Sequence, residues 1–222
     1  EIRLSLVGSE MCIRDSGKSY YPSDYSPNAG WADYYGNEDF FKAYPNDDRK
    51  EWNYMTEWKI KSGEIIPYTE SADKLPAISK YYDYDEGAPG KSAQSNGITC
   101  IYRYAEVLLM YAEASTRATN TVNQDALNAI QEVQKRAGYQ DRQIELTTTT
   151  EPTAFLTAVS NERGWEFFAE MKRWFELVRL EKVKEVRAEE WDASTFNTNH
   201  HYYFPVPYQQ VDLAGWTNNA GY

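Results

Sequence analysis

The stretch Asn161–Arg179, NERGWEFFAEMKRWFELVR, runs nineteen residues without a proline. Glu162, Glu166 and Glu170 step by four, while Trp165, Phe168, Met171, Phe175 and Val178 recur every three or four residues, the spacing of a helix. On a helical wheel these five apolar residues share one flank, and Phe167 and Trp174 widen it past half the circumference. A helix so broadly apolar is buried, and the glutamates on its remaining side lose water with it. Burying unpaired carboxylates is costly. Arg163, three residues before Glu166, and Arg173, three after Glu170, are within reach and offer a bidentate geometry that Lys172 lacks. The stretch therefore reads as a structural ion network of Glu162, Arg163, Glu166, Glu170 and Arg173 that fastens a scaffold, with the carboxyl pKa values held down by the arginines. A di-iron reading needs histidines that are not nearby, and a glycosidase needs two carboxylates facing one bond.

Working outward, Pro152 sits where a helix begins, and residues 153–187 form one or two helices with Gly164 as the weak point. Before the LTTTTEP break, IYRYAEVLLMYAEASTRAT (101–119) places Tyr104, Val107, Leu108, Tyr111 and Ala112 at helical spacing. The next helix carries an apolar stripe of Ala126, Leu127, Ile130 and Val133; Lys135 and Arg136 suit its negative end, and Gly138 supplies a stop. The short connection makes the two antiparallel, as in one tetratricopeptide-type unit, which cannot bury its own outer face. Apolar surface is expected at Tyr104, Leu108 and Tyr111. Upstream, EDFFKAYPNDDRKEWNYM (38–55) is a short helix broken by Pro45, followed by a strand pair turning at Ser62-Gly63. Residues 17–37, 74–97 and 197–222 are loops rich in Tyr, Gly, Pro and Asn. The fold class is thus mainly α, with tetratricopeptide-like helix pairs beside an irregular, loop-rich subdomain. Residues 17–100 are the loop-rich part, 101–190 the helical scaffold and 191–222 an irregular aromatic tail. Residues 1–16 lack an initiator Met, a basic n-region and a long apolar core, and read as a non-native leader.

A formal charge of -11 disfavours phosphate backbones, so nucleic acid is not an expected partner. No run of eighteen apolar residues marks a membrane span. Cys12 and Cys100 make no disulfide framework, and with only His200 and His201 the zinc motifs are missing, so neither a metal nor a cofactor is expected. The aromatic content is the anomaly: Tyr 19 and Trp 7 are concentrated in polar segments. Such rings, apolar in face and polar at the edge, suit half-exposed recognition surfaces.

Four segments in this order, RYAEVLLMYAEA (103–114), IQEVQKRAG (130–138), the opening stretch, and FPVPYQQVDLAGWTNNAGY (204–222), resemble the C-terminal half of the SusD/RagB family. AYPNDDRKEW (43–52) resembles that family's D-x-R segment. Met171 stands where the family pattern has Gly, and Glu176 where it has Asp. The resemblance implies a surface-exposed lipoprotein of the outer membrane in Bacteroidota-type bacteria. Such a protein captures glycans or other nutrients, passes them to a TonB-dependent (SusC-like) transporter, and is not an enzyme. The lipid-bearing cysteine belongs to a family N-terminus that these residues do not include, so neither Cys12 nor Cys100 takes that role.

A sugar ring presents apolar C–H faces and a rim of hydroxyls, and so calls for flat aromatic platforms with nearby polar groups. In this family ligand contacts come from loops. Tyr20, Tyr21, Tyr25, Trp31, Tyr34 and Tyr35 are the ligand-binding candidates, with Asp24, Asn28 and Asp33 as polar partners. Tyr81, Tyr82 and Tyr84 with Asp83 form a second, weaker cluster. A helical protein-binding adaptor and an all-α glycoside hydrolase are the rival functions.

Overall fold

A computed structural model describes residues 19–26, 30–81, 100–186 and 196–222. The chain divides into two compact units between Glu170 and Met171, inside the opening stretch.

In the first unit, a loop leads into α1 (Glu38–Ala43) and α2 (Asp48–Asn53), which flank Pro45 as expected. Asn37 caps α1 by accepting from Phe40 N, and Asp47 caps α2 by accepting from Arg49 N and Lys50 N. Four short strands follow: β1 (Tyr54–Met55), β2 (Glu57–Lys59), β3 (Ile65–Pro67) and β4 (Ala77–Ile78). β2 and β3 pair antiparallel, with Trp58 opposite Ile66 and both buried, and the chain reverses at Gly63, φ 91°. β1 pairs with β4. Two-stranded ribbons are not stable alone. Here Tyr54 of β1 anchors in an aromatic cluster with Phe41, Tyr44 and Phe168, at centroid distances of 4.8, 5.7 and 4.5 Å.

The helical part comprises α3 (Tyr104–Thr119), α4 (Gln124–Arg136) and α5 (Pro152–Glu166). Asn120, left-handed at φ 50°, closes α3, and Asn123 caps α4 by accepting from Ala126 N at 2.8 Å. Their shared core joins Leu109 and Ala112 to Ala126, Leu127, Ile130 and Val133, with Phe155 and Val159 of α5 beneath. The α4 stripe is as expected. On α3 the buried residues are Glu106, Leu109, Ala112, Glu113 and Thr116, whereas Tyr104, Val107 and Tyr111 are exposed and Leu108 packs partly onto the core. The aromatic stripe of α3 therefore faces outward.

Gly138 ends α4 with φ 82°, and a Cβ there would lie 2.4 Å from the Asp48 carboxylate. The same contact brings Asp48 N to the Ala137 carbonyl at 3.1 Å, tying α2 to the end of α4. Pro152 occupies the first turn of α5, with Glu151 accepting from Thr153 N and Ala154 N. The opening stretch is two helices, not one, and Gly164 lies buried inside the first of them. The break falls after Glu166, through Ala169 (φ 59°) and Met171 (φ 58°).

The second unit holds α6 (Arg173–Arg179), α7 (Val183–Val186), α8 (Thr198–His201) and α9 (Tyr208–Ala214). Trp174 packs against Phe204 at 6.1 Å, and the Tyr222 ring stacks on His200 at 4.1 Å while its hydroxyl donates to the His200 and Tyr203 carbonyls. Among the described residues no helix is long and apolar enough to cross a membrane.

Candidate functional site

Glu162 and Glu166 lie one turn apart on α5 and are 0% and 2% exposed. Glu162 Oε1 accepts from Arg49 Nη1 at 2.6 Å, and its Oε2 accepts from Gln134 Nε2 at 3.2 Å and the Tyr139 hydroxyl at 3.1 Å. Glu166 is held by Arg49 at 2.8 Å and, at shorter range, by Arg103 and Arg136. Glu170, in the turn, takes Lys80 at 2.7 Å and Arg103 at 2.8 Å. Asp47 completes the group through Arg49 at 2.5 Å. Four carboxylates thus meet four cations, and the charge is balanced.

The cations differ from those expected. Arg163 sits 3.9 Å from Glu106 with its guanidinium over the Phe167 ring, and Arg173 pairs with Glu176 at 2.9 Å. Arg163 shares α5 with Glu166 but turns instead toward Glu106 and Phe167, whereas the i,i+3 pairing of Arg173 with Glu170 assumed a helix that ends at Glu166. The same donors explain that turn. Carbonyl oxygens left free at the end of α5 need partners, and Arg103 Nη2 donates to the Glu166 carbonyl at 2.5 Å while the Tyr81 hydroxyl donates to the Ala169 carbonyl at 2.8 Å.

Burial pushes the Glu162 carboxyl above its usual pKa, outweighing Arg49 and reversing the expected direction. For Glu170 burial also pushes upward, but hydrogen bonds from Arg103 and Lys80 prevail and its pKa lies below the usual range. Every carboxylate here is occupied by donors and faces protein rather than a cleft. The cluster binds α2, the 80–81 segment, Arg103 and α4 to one end of α5. Among the described residues no group of His, Cys, Asp or Glu is arranged to hold a metal ion.

The tyrosine-rich loop is pinned by its own backbone. Asp33 N and Tyr34 N donate to the Ser19 carbonyl, Ala32 N to Tyr21, Gly30 N to Pro22 and Gly36 N to Pro76, at 2.8–3.1 Å. Gly30 is required by close approach, since a Cβ there would fall 1.9 Å from the Tyr21 oxygen. The six candidate rings separate by exposure. Tyr20 and Tyr21 are buried at 6% and 5%, so they are packing residues rather than platforms. Tyr20 lies between Tyr34 at 5.3 Å and Tyr81 at 5.1 Å, joining the two clusters that looked separate in the sequence, and Tyr21 backs Tyr25 at 5.2 Å. Tyr35 is half-buried with its hydroxyl on Asp73, and burial together with that carboxylate raises its pKa. Trp31 and Tyr34 are open to solvent at 50% and 53%.

Of the proposed polar partners, Asp24 is committed to the Trp58 indole N–H at 2.7 Å and Ala72 N at 3.2 Å, while Asp33 is exposed. Asn28, Tyr82, Asp83 and Tyr84 lie outside the described residues. An open groove of about 420 Å³ adjoins the loop, lined by Tyr25, Glu51, Met55, Thr56, Glu57 and Lys59 among others. Trp52, 65% exposed on α2, stands beside Glu51, and its carbonyl accepts from the Ser79 hydroxyl of the groove at 2.7 Å. Trp52 was not singled out in the sequence because it reads there as part of a helix; one tryptophan on a six-residue helix with no apolar stripe was the available signal.

A model of the SusD family matches residues 12–222. The chain belongs to the SusD family. It is 28% identical over 200 residues to a SusD-like protein P2 of Formosa agariphila, covering 82% of this chain and 39% of that one. A SusD homolog of Bacteroides thetaiotaomicron superposes with a TM-score of 0.75 at 20% identity, over 95% of this chain and 48% of its own. A surface glycan-binding protein A of Bacteroides uniformis gives 0.63 at 24% identity, over 90% of this chain and 46% of its own. The chain thus spans less than half the length of each of these proteins. The left-handed Met171 is the position where the SusD/RagB pattern carries glycine.

Proposed function

We propose that this chain is part of a cell-surface glycan-binding protein that holds its ligand without cleaving it and hands it to a TonB-dependent outer-membrane transporter. In this reading a lipid on a more N-terminal segment anchors the protein to the outer membrane, as the family implies. The observation that carries it is the placement of Trp31 and Tyr34: two half-exposed rings on a loop whose backbone is fixed by hydrogen bonds and backed by buried tyrosines. A platform ordered in advance loses little freedom when a sugar stacks on it. Family membership and the structural likeness to a surface glycan-binding protein support the ligand class. The carboxylates that would serve a hydrolase are enclosed and occupied by cations, which removes the main support for that reading.

Affinity electrophoresis through gels containing single polysaccharides tests the proposal. Retardation that weakens in Trp31→Ala and Tyr34→Ala, with no reducing ends released, is the expected result. Release of reducing ends over time would overturn it. A protein-binding role is the second reading, favoured by the outward apolar stripe of Tyr104, Val107 and Tyr111 on α3, and binding of a protein with indifference to every glycan would establish it.

A further inference from the structure

We infer that Tyr20 and Tyr81 are positioning residues of the glycan platform: their rings form a column that selects the orientation in which Tyr34 meets a sugar. This rests on the glycan-binding reading above and adds to it the residues that order its platform. The backbone around Tyr34 is held on both sides. Tyr34 N donates to the Ser19 carbonyl at 3.1 Å, and Tyr35 forms an antiparallel bridge with Ala77. A fixed backbone still leaves a surface tyrosine three staggered choices at its first side-chain torsion. Contact with Tyr20 chooses among them. The two ring centroids are 5.3 Å apart with 34° between the planes, while Tyr34 keeps 53% of its surface exposed. The ring is thus supported on one side and open on another.

Tyr20 is only 6% exposed, so it reaches a ligand only through the ring it supports. It rests in turn on Tyr81, with centroids 5.1 Å apart and 29° between the planes. Tyr81 is anchored: its hydroxyl donates to the Ala169 carbonyl at 2.8 Å, and its neighbour Lys80 donates to Glu170 at 2.7 Å. The column therefore runs from the turn beneath the ion cluster to the exposed platform ring. Without the Tyr20 ring, Tyr34 spreads over its three wells. The fraction in the binding orientation then falls to about one third, and affinity weakens about threefold.

The test measures retardation of the 222-residue chain in gels containing laminarin or starch, with circular dichroism confirming that each variant is folded. The variants are Tyr20→Phe, Tyr20→Leu and Tyr81→Leu, each alone and combined with Trp31→Ala or Tyr34→Ala. Tyr20→Phe keeps the ring and should bind as the parent does. Tyr20→Leu and Tyr81→Leu should weaken binding about threefold, and should do so again on Trp31→Ala but add nothing to Tyr34→Ala. A merely structural role would not depend on which platform ring is present. If Tyr20→Leu does not fold, the half-buried Tyr81 carries the same comparison. Parental binding by both leucine variants, or equal weakening with and without Tyr34, would overturn the column and leave the loop platform standing. Failure of the unaltered chain to bind either glycan would remove the platform and the column together.

Discussion

Replacing Arg49 with Met keeps much of the side chain's length and removes its charge from the centre of the buried cluster. Among the described residues Arg49 is the one cation that touches Asp47, Glu162 and Glu166 together, at 2.5, 2.6 and 2.8 Å. Without it, Glu162 retains among the described residues the neutral donors Gln134 and Tyr139. Glu166 retains Arg103 and Arg136, so the deficit concentrates on Glu162 and Asp47, which are 0% and 1% exposed. Breaking one side of a buried pair costs about 3–5 kcal/mol, and for a chain of this size each kcal/mol moves the melting temperature by roughly 2–4 °C. A fall of about 6–20 °C is therefore expected at neutral pH. The pH dependence has a definite sign. Glu162 already has a raised folded-state pKa, so its contribution favours the folded state below the ordinary carboxylate range and is lost as pH rises through the folded value. Loss of Arg49 raises that value further, so the deficit should shrink on acidification. Thermal denaturation of both proteins from pH 4 to pH 8 reads both effects. A variant melting within about 2 °C of the parent at pH 7 would show that the cluster is not what fastens α2 to α5.

Three further outcomes follow from single positions. Met171→Gly should raise stability by about 0.5 kcal/mol, because relief of the left-handed backbone outweighs the added freedom of the unfolded chain; Lys172→Gly, at φ -96°, should lower it, and equal effects at the two sites would contradict the strain. Tyr54→Phe removes a buried hydroxyl that has no hydrogen-bond partner among the described residues, so a gain of about 1 kcal/mol in thermal denaturation is expected and a loss would reveal an unseen partner. Gly138→Ala should destabilise by about 1–2 kcal/mol through its positive φ and the approach of Asp48, and combining it with Asp48→Ala should recover the part due to contact; no recovery would leave backbone conformation as the whole cause.

Features carried by neighbouring residues were legible in the sequence. Pro152 opened α5, Ser62-Gly63 turned the hairpin, Pro45 separated two short helices, and the α4 stripe went inward as its spacing required. These are local because capping, turn chemistry and helical periodicity act over four residues or fewer. The ordered motifs likewise carried the family. The partners of the glutamates were not legible: Arg49, Arg103 and Arg136 lie 117, 63 and 30 residues from Glu166. The helix break after Glu166 belongs to the same class, since the donors that cap its carbonyls arrive from Arg103 and Tyr81. Which rings face solvent was also decided by tertiary packing, which buries Tyr20 and Tyr21 and leaves Trp31, Tyr34 and Trp52 open. A tyrosine's composition allows either fate; only the atoms brought against its ring from elsewhere in the chain choose between them.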